Sequence, residues 1–126
     1  PFPSPRELVV DDVTGATQKF PSPGRIVFRR GAREHALDVI EEPGEDEYFV
    51  IFRDRTNGRS TYAAGRFLYV PKPGPDRRMT LDFNRAYTPP CGFTPFATCP
   101  LAPEQNVLPF AVPAGERKPP EHRPVP

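Results

Sequence analysis

The amino-acid sequence predicts an all-β domain, a compact antiparallel barrel or sandwich of about seven strands with a proline-rich loop and tail. Three observations carry this expectation. Twenty prolines in 126 residues exclude long helices, because each proline removes a backbone donor and fixes φ. Turn signals recur every 8–12 residues or so, as antiparallel β-proteins require: Pro21-Ser22-Pro23-Gly24, Gly31, Pro43-Gly44, Asn57-Gly58 and Pro73-Gly74-Pro75-Asp76. The runs between them are rich in β-branched and aromatic residues, which suit a pleated, half-buried surface.

The elements follow in chain order. A short strand is expected around Glu7–Val10. Residues 25–30 and 35–41 flank Gly31 and read as strands across a tight turn. The acidic run Glu41–Glu47 reads as a solvated hairpin tip leading into a strand over 48–53. Asn57-Gly58 is the strongest single hairpin signal, since a type I′ turn needs positive φ at both central residues. It points to a strand over 60–70, where apolar residues fall on both faces. Such a strand is central and covered on both sides.

In the expected strand over 78–87, Met79, Leu81 and Phe83 point inward, while Thr80, Asp82, Asn84 and Ala86 share the opposite face. A last strand is expected over 107–112. The whole chain 1–126 reads as one β domain, with residues 1–5 loose and residues 115–126 a proline-rich tail, disordered or draped over the surface.

Composition narrows the function classes. The chain is 37% hydrophobic and 26% charged, ordinary for a soluble domain. A formal charge of +1 gives no general attraction to nucleic acid or to an anionic membrane. No apolar run approaches the roughly 20 residues that cross a bilayer, and no signal-peptide pattern opens the chain. Two cysteines are too few for a disulfide scaffold and fit a reducing cytoplasm. The phosphate-loop, GxSxG and HExxH signatures are absent.

The residues that point to a site lie between Thr61 and Cys99. Arg66 sits among apolar neighbours and needs an anion, because an unpaired buried charge is costly. Asp82, on the expected next strand, is the candidate partner. Asp82 and Asn84 alternate on one face roughly 7 Å apart, a spacing suited to gripping one small polar ligand or ion. Thr61 and Tyr62 lead into Arg66, and Tyr87 opens the loop that carries Cys91 and Cys99. The peptide bond into Pro89 or Pro90 is a candidate for the cis form.

Seven residues separate the two cysteines, which is neither a redox-pair nor a zinc-knuckle spacing, and no metal site is expected. A disulfide between them stays open. Thr61, Tyr62, Arg66, Asp82, Asn84, Tyr87, Cys91 and Cys99 together form the candidate ligand-binding set. The leading expectation is a domain that binds or acts on a small polar ligand. The alternatives are a structural or protein-interaction module with no small-molecule site, and cysteine-based redox or nucleophilic chemistry. The ligand, any reaction or cofactor, and homo-oligomer formation stay open.

The string FRDRTNGRSTYAAGRFLYV, followed by LDFNRAYTPPCGFTPFATCPLAPEQNVLP, resembles domain-of-unknown-function family 1684 of bacteria and archaea. The matching positions include Asp54, Thr56, Gly58, Thr61, Tyr62, Gly65, Arg66, Asp82, Asn84, Tyr87, Pro89, Pro90, Cys91, Cys99 and Asn106. Thr88 and Gly92 depart from the family's usual Asn and Ala. The resemblance implies that the polar cluster and the cysteine loop occur together as one signature. It implies no activity, because the family is uncharacterised.

Overall fold

The computed structural model describes residues 1, 6–12, 14–89 and 99–117. Six strands of six residues each pair as three antiparallel ribbons: β1 (Arg6–Asp11) with β2 (Thr17–Ser22), β3 (Arg25–Arg30) with β4 (Arg33–Asp38), and β5 (Glu47–Phe52) with β6 (Arg66–Pro71). Among the described residues there is no α-helix; Phe83–Arg85 and Glu104–Asn106 form single 3-10 turns. The all-β expectation therefore holds. Its finer form, a barrel or sandwich of about seven strands, gives way to three two-stranded ribbons.

The β5–β6 ribbon is the middle of the molecule. Directly opposed residues in an antiparallel pair share a face. Val50 with Leu68 and Tyr48 with Val70 therefore face one side, and Phe49 with Tyr69 and Ile51 with Phe67 face the other. The first side packs with Ile26 and Leu37 of the β3–β4 ribbon. The second packs with Leu8 and Val10 of the β1–β2 ribbon. Two apolar cores thus lie on opposite faces of one ribbon, as apolar residues on both faces of residues 66–70 predict.

Three residues after β4 stitch the ribbons together through the backbone. Val39 N–H donates to Gly24 C=O at 3.1 Å, Ile40 exchanges two bonds with Phe49 at 2.8 and 2.9 Å, and Glu41 N–H donates to Pro21 C=O at 3.0 Å. Asn106, fully buried, extends the stitch with its side chain. Its Oδ1 accepts from Asp38 N–H at 2.7 Å, and its Nδ2 donates to the carbonyls of Asp38 at 3.0 Å and Ile51 at 2.9 Å. One amide thus satisfies three backbone groups that no strand reaches.

Four expected elements are corrected. Residues 78–87 form no strand: the Asp82 carboxylate accepts from Asn84 N–H at 3.0 Å and starts the 3-10 turn, because Asp captures nearby backbone donors in competition with a ladder. The strand expected over 60–70 begins only at Arg66, since the residues before it are held by a turn network. Residues 107–112 pair only through a parallel bridge of Val107 to Arg53, and Pro109 lacks the donor a ladder needs. Asn57-Gly58 makes no type I′ turn: Gly58 has φ 81°, but Asn57 is not left-handed.

Strand β2 was not expected, because Pro21 reads as a turn residue; an edge strand tolerates it. No described peptide bond is cis, including that into Pro89; the bond into Pro90, residues 2–5 and the tail beyond Arg117 lie outside the described residues.

Gly65, between that turn network and β6, has φ 106°, and a Cβ there would lie 2.5 Å from the Phe52 carbonyl oxygen. Backbone cannot give way as a flexible side chain can. Gly65→Ala is therefore expected to destabilise the chain by several kcal/mol, through strain at a left-handed position plus that clash. Gly58→Ala has left-handed strain but would meet only an ordinary contact, 3.9 Å to Ala63 Cβ, and is expected to cost about 1–2 kcal/mol. Urea denaturation of the two variants checks the difference; equal losses would refute the close-approach argument.

Candidate functional site

Arg66 is completely buried, and so is the carboxylate it meets. That partner is Asp54, with Nη2 3.5 Å from Oδ2, and not Asp82. The register explains it. Arg66 lies opposite Phe52 on one face of the ribbon, and Asp54 follows two residues later along the same chain. The shorter bonds go to backbone. Arg66 Nη2 donates to Val112 C=O at 2.7 Å, Nη1 donates to Ala114 C=O, and Asp54 Oδ2 accepts from Val112 N–H at 2.6 Å. The ion pair is a two-pronged clamp on the segment Val112–Ala114.

The remaining atoms are committed as well. Asp54 Oδ1 accepts from the Thr56 hydroxyl at 2.7 Å, that hydroxyl lies 2.8 Å from Thr61 Oγ1, and Asn57 Nδ2 donates to Thr61 Oγ1 at 3.0 Å and to Tyr62 C=O at 3.1 Å. The guanidinium lies 5.3 Å from the centre of the Phe52 ring. Within this network, Arg66 Nε is buried without a hydrogen-bond partner among the described residues. Burial pushes the Arg66 pKa down, and the Asp54 charge opposes that shift.

The structure thus gathers Thr61 and Arg66, with the Tyr62 backbone, into one interior network. Asp82 and Asn84 sit apart, at the 3-10 turn, with Asn84 exposed. Arg85 pairs with Glu47 at 2.9 Å. Cys91 lies outside the described residues; Cys99 is buried in the core shared with the β1–β2 ribbon.

Tyr87 belongs to a second cluster. It bridges the free edge of β6, exchanging two bonds of 2.9 Å with Phe67. Its ring stacks on Tyr69, with centroids 6.3 Å apart and 11° between planes. Glu42 stands beside both phenols. Glu42 Oε1 is buried without a hydrogen-bond partner among the described residues. Glu42 also lines a cleft of about 410 Å³, walled by Phe20, Pro21, Ile40, Phe49 and Pro100.

Sequence reasoning missed Glu42 and Tyr69. The acidic run masked Glu42 as one solvated charge among many, and Tyr69 read as core.

Burial raises the pKa of Tyr69, with Tyr87 and Glu42 adding to it. Burial also raises that of Tyr87. An acid whose folded pKa is raised contributes its stability fully below the unfolded value, about 10 for a phenol. The contribution is lost as pH rises through the folded value. Two of the four tyrosines are therefore expected to ionise late in an ultraviolet difference titration, with stability falling above about pH 10. The late ionisation should be reduced in Tyr69→Phe. Four phenols titrating together would overturn the cluster.

Comparison with known proteins gives a family and a fold. Among curated proteins, none matches the chain. The solution NMR structure of the uncharacterized protein from gene locus rrnAC0354 of Haloarcula marismortui is similar at 31% identity and a TM-score of 0.71, over 96% of this chain and 68% of that one. The family profile of proteins of unknown function DUF1684 matches residues 1–117, and the chain belongs to that family.

Proposed function

We propose that the domain binds a small ligand in the cleft lined by Glu42, Phe20, Ile40 and Phe49. One observation carries the reading: a buried carboxylate oxygen, Glu42 Oε1, without a hydrogen-bond partner among the described residues, on a residue that lines a cleft of about 410 Å³. A buried carboxylate oxygen calls for a donor, since leaving it unpaired costs more than an ordinary hydrogen bond returns. The ligand chemistry follows: an ammonium or hydroxyl head toward Glu42, and an apolar body against the aromatic wall. The volume suits a small molecule. Tyr69 and Tyr87 lie beside Glu42 and pack against the core that holds Cys99.

A second reading, a structural or interaction module with no small-molecule site, draws on the Arg66 network. That network is buried and nearly saturated, as an internal scaffold should be.

Native mass spectrometry of the protein from its own host distinguishes the two. The expected result is a bound amine or polyol, absent from Glu42→Ala, with that variant losing no more than about 1 kcal/mol of stability, since the buried oxygen it removes holds no hydrogen bond among the described residues. Adduct-free protein, together with no saturable response to titrated alkylamines or polyols, would sink the ligand reading and favour the second.

The Arg66 network yields a companion expectation. Asp54→Ala should cost about 3–5 kcal/mol, because it strands a buried guanidinium charge. Asp82→Ala should cost about 1 kcal/mol, the worth of a turn cap. Chemical denaturation gives both values, and the reverse order would refute Asp54 as the partner.

A further inference from the structure

A separate groove runs along the outer edge of β3. It has two contiguous parts of about 240 and 420 Å³ that share Arg25, Arg77 and Met79. One end is apolar, walled by Pro23, Val39 and Tyr48. The other carries Arg78 beside Val27, a valine left 54% exposed. Arg25 pairs with Asp38 at 3.1 Å. The side chains of Arg77 and Arg78 are exposed and make no hydrogen bond or ion pair among the described residues. Two carboxylates stand near, and both are engaged: Asp38 with Arg25 and with Gln105 at 3.2 Å, and Asp76 with Arg78 N–H at 3.1 Å.

Arg77 adds an independent sign. It is the only described residue other than glycine with positive φ, at 60°. Its N–H closes the turn from Gly74 C=O at 3.0 Å. Glycine would occupy that position without strain, and the turn itself uses nothing of the arginine side chain. Strain held without local return marks a residue kept for what its side chain meets.

We propose that this groove binds an organic oxyanion, a carboxylate or phosphate head on a short apolar body. Arg77 and Arg78 would supply paired guanidinium donors, whose planar fork fits either head. Met79, Val39 and Tyr48 would receive the body. This site is independent of the Glu42 cleft, and neither proposal depends on the other.

Amide NMR titration of the full chain with hexanoate, phenyl phosphate and inorganic phosphate tests it. The expected result is saturable shifts at Gly24, Tyr48 and Met79 with hexanoate or phenyl phosphate, weakening as salt rises because exposed charges are screened. Whichever organic anion binds more tightly names the head group. The double variant R77Q/R78Q should weaken binding at least tenfold, while R29Q/R30Q and Glu42→Gln leave it unchanged. Arg77→Gly guards against misfolding: it relieves the left-handed strain, so thermal stability should hold or rise while binding falls. Three outcomes would each overturn the site: no saturable shift with any probe, inorganic phosphate binding as tightly as the organic anions, or binding unchanged in Arg77→Gly.

Discussion

The fold depends on one buried charge. Arg66 could not enter the core alone, and the Asp54 charge at 3.5 Å is too distant a partner to account for its place there by itself. The backbone completes the arrangement. Carbonyls of Val112 and Ala114 take the guanidinium donors, and Val112 N–H takes the carboxylate. A buried ion pair rarely adds net stability over apolar packing, but it can fix geometry. Here it fixes where residues 112–116 cross the molecule. Two contacts follow from that crossing: Glu116 N–H on Ala86 C=O at 2.8 Å, and Thr88 N–H on the Glu116 carboxylate at 2.6 Å.

The rest of the architecture solves the problem of three small ribbons. A two-stranded ribbon cannot bury its face alone. Each outer ribbon covers one side of β5–β6, and the leftover backbone groups are consumed by single residues: Ile40 on the outer edge of β5, Tyr87 on the outer edge of β6, and the Asn106 amide between β4 and β5. Isolated bridges of this kind do what additional strands would do in a barrel, with prolines limiting how far each extends.

Much of this was legible in the sequence, and the failures have physical causes. Apolar residues on both faces of the strand expected over 60–70, the strand over 48–53 and the turn at Gly31 follow from local pattern; the first holds from Arg66 onward and the others hold in the structure. The burial of Arg66 was legible for the same reason. Its partner was not, because pairing depends on register between distant segments, and one choice of neighbouring strand decides which carboxylate arrives. Asp54 closes the local turn through Oδ1, and only its second oxygen reaches Arg66. Asp82 failed as a strand residue because its side chain captures Asn84 N–H. Glu42 carries no sequence mark that separates it from Glu41 or Glu45; burial of one oxygen is a tertiary fact.

The clamp on Val112–Ala114 also sets an order of events during synthesis. Residues 6–71 contain all six strands, so every ribbon can form early as the chain emerges. The guanidinium has Asp54 beside it from the start, but its backbone acceptors are missing until Val112–Ala114 leave the ribosome. Before that moment the β5–β6 ribbon holds a guanidinium facing an open seam, which water must occupy. Closure of the core is therefore a late step set by the last described residues, and the nascent domain is exposed to proteases and chaperones until they arrive.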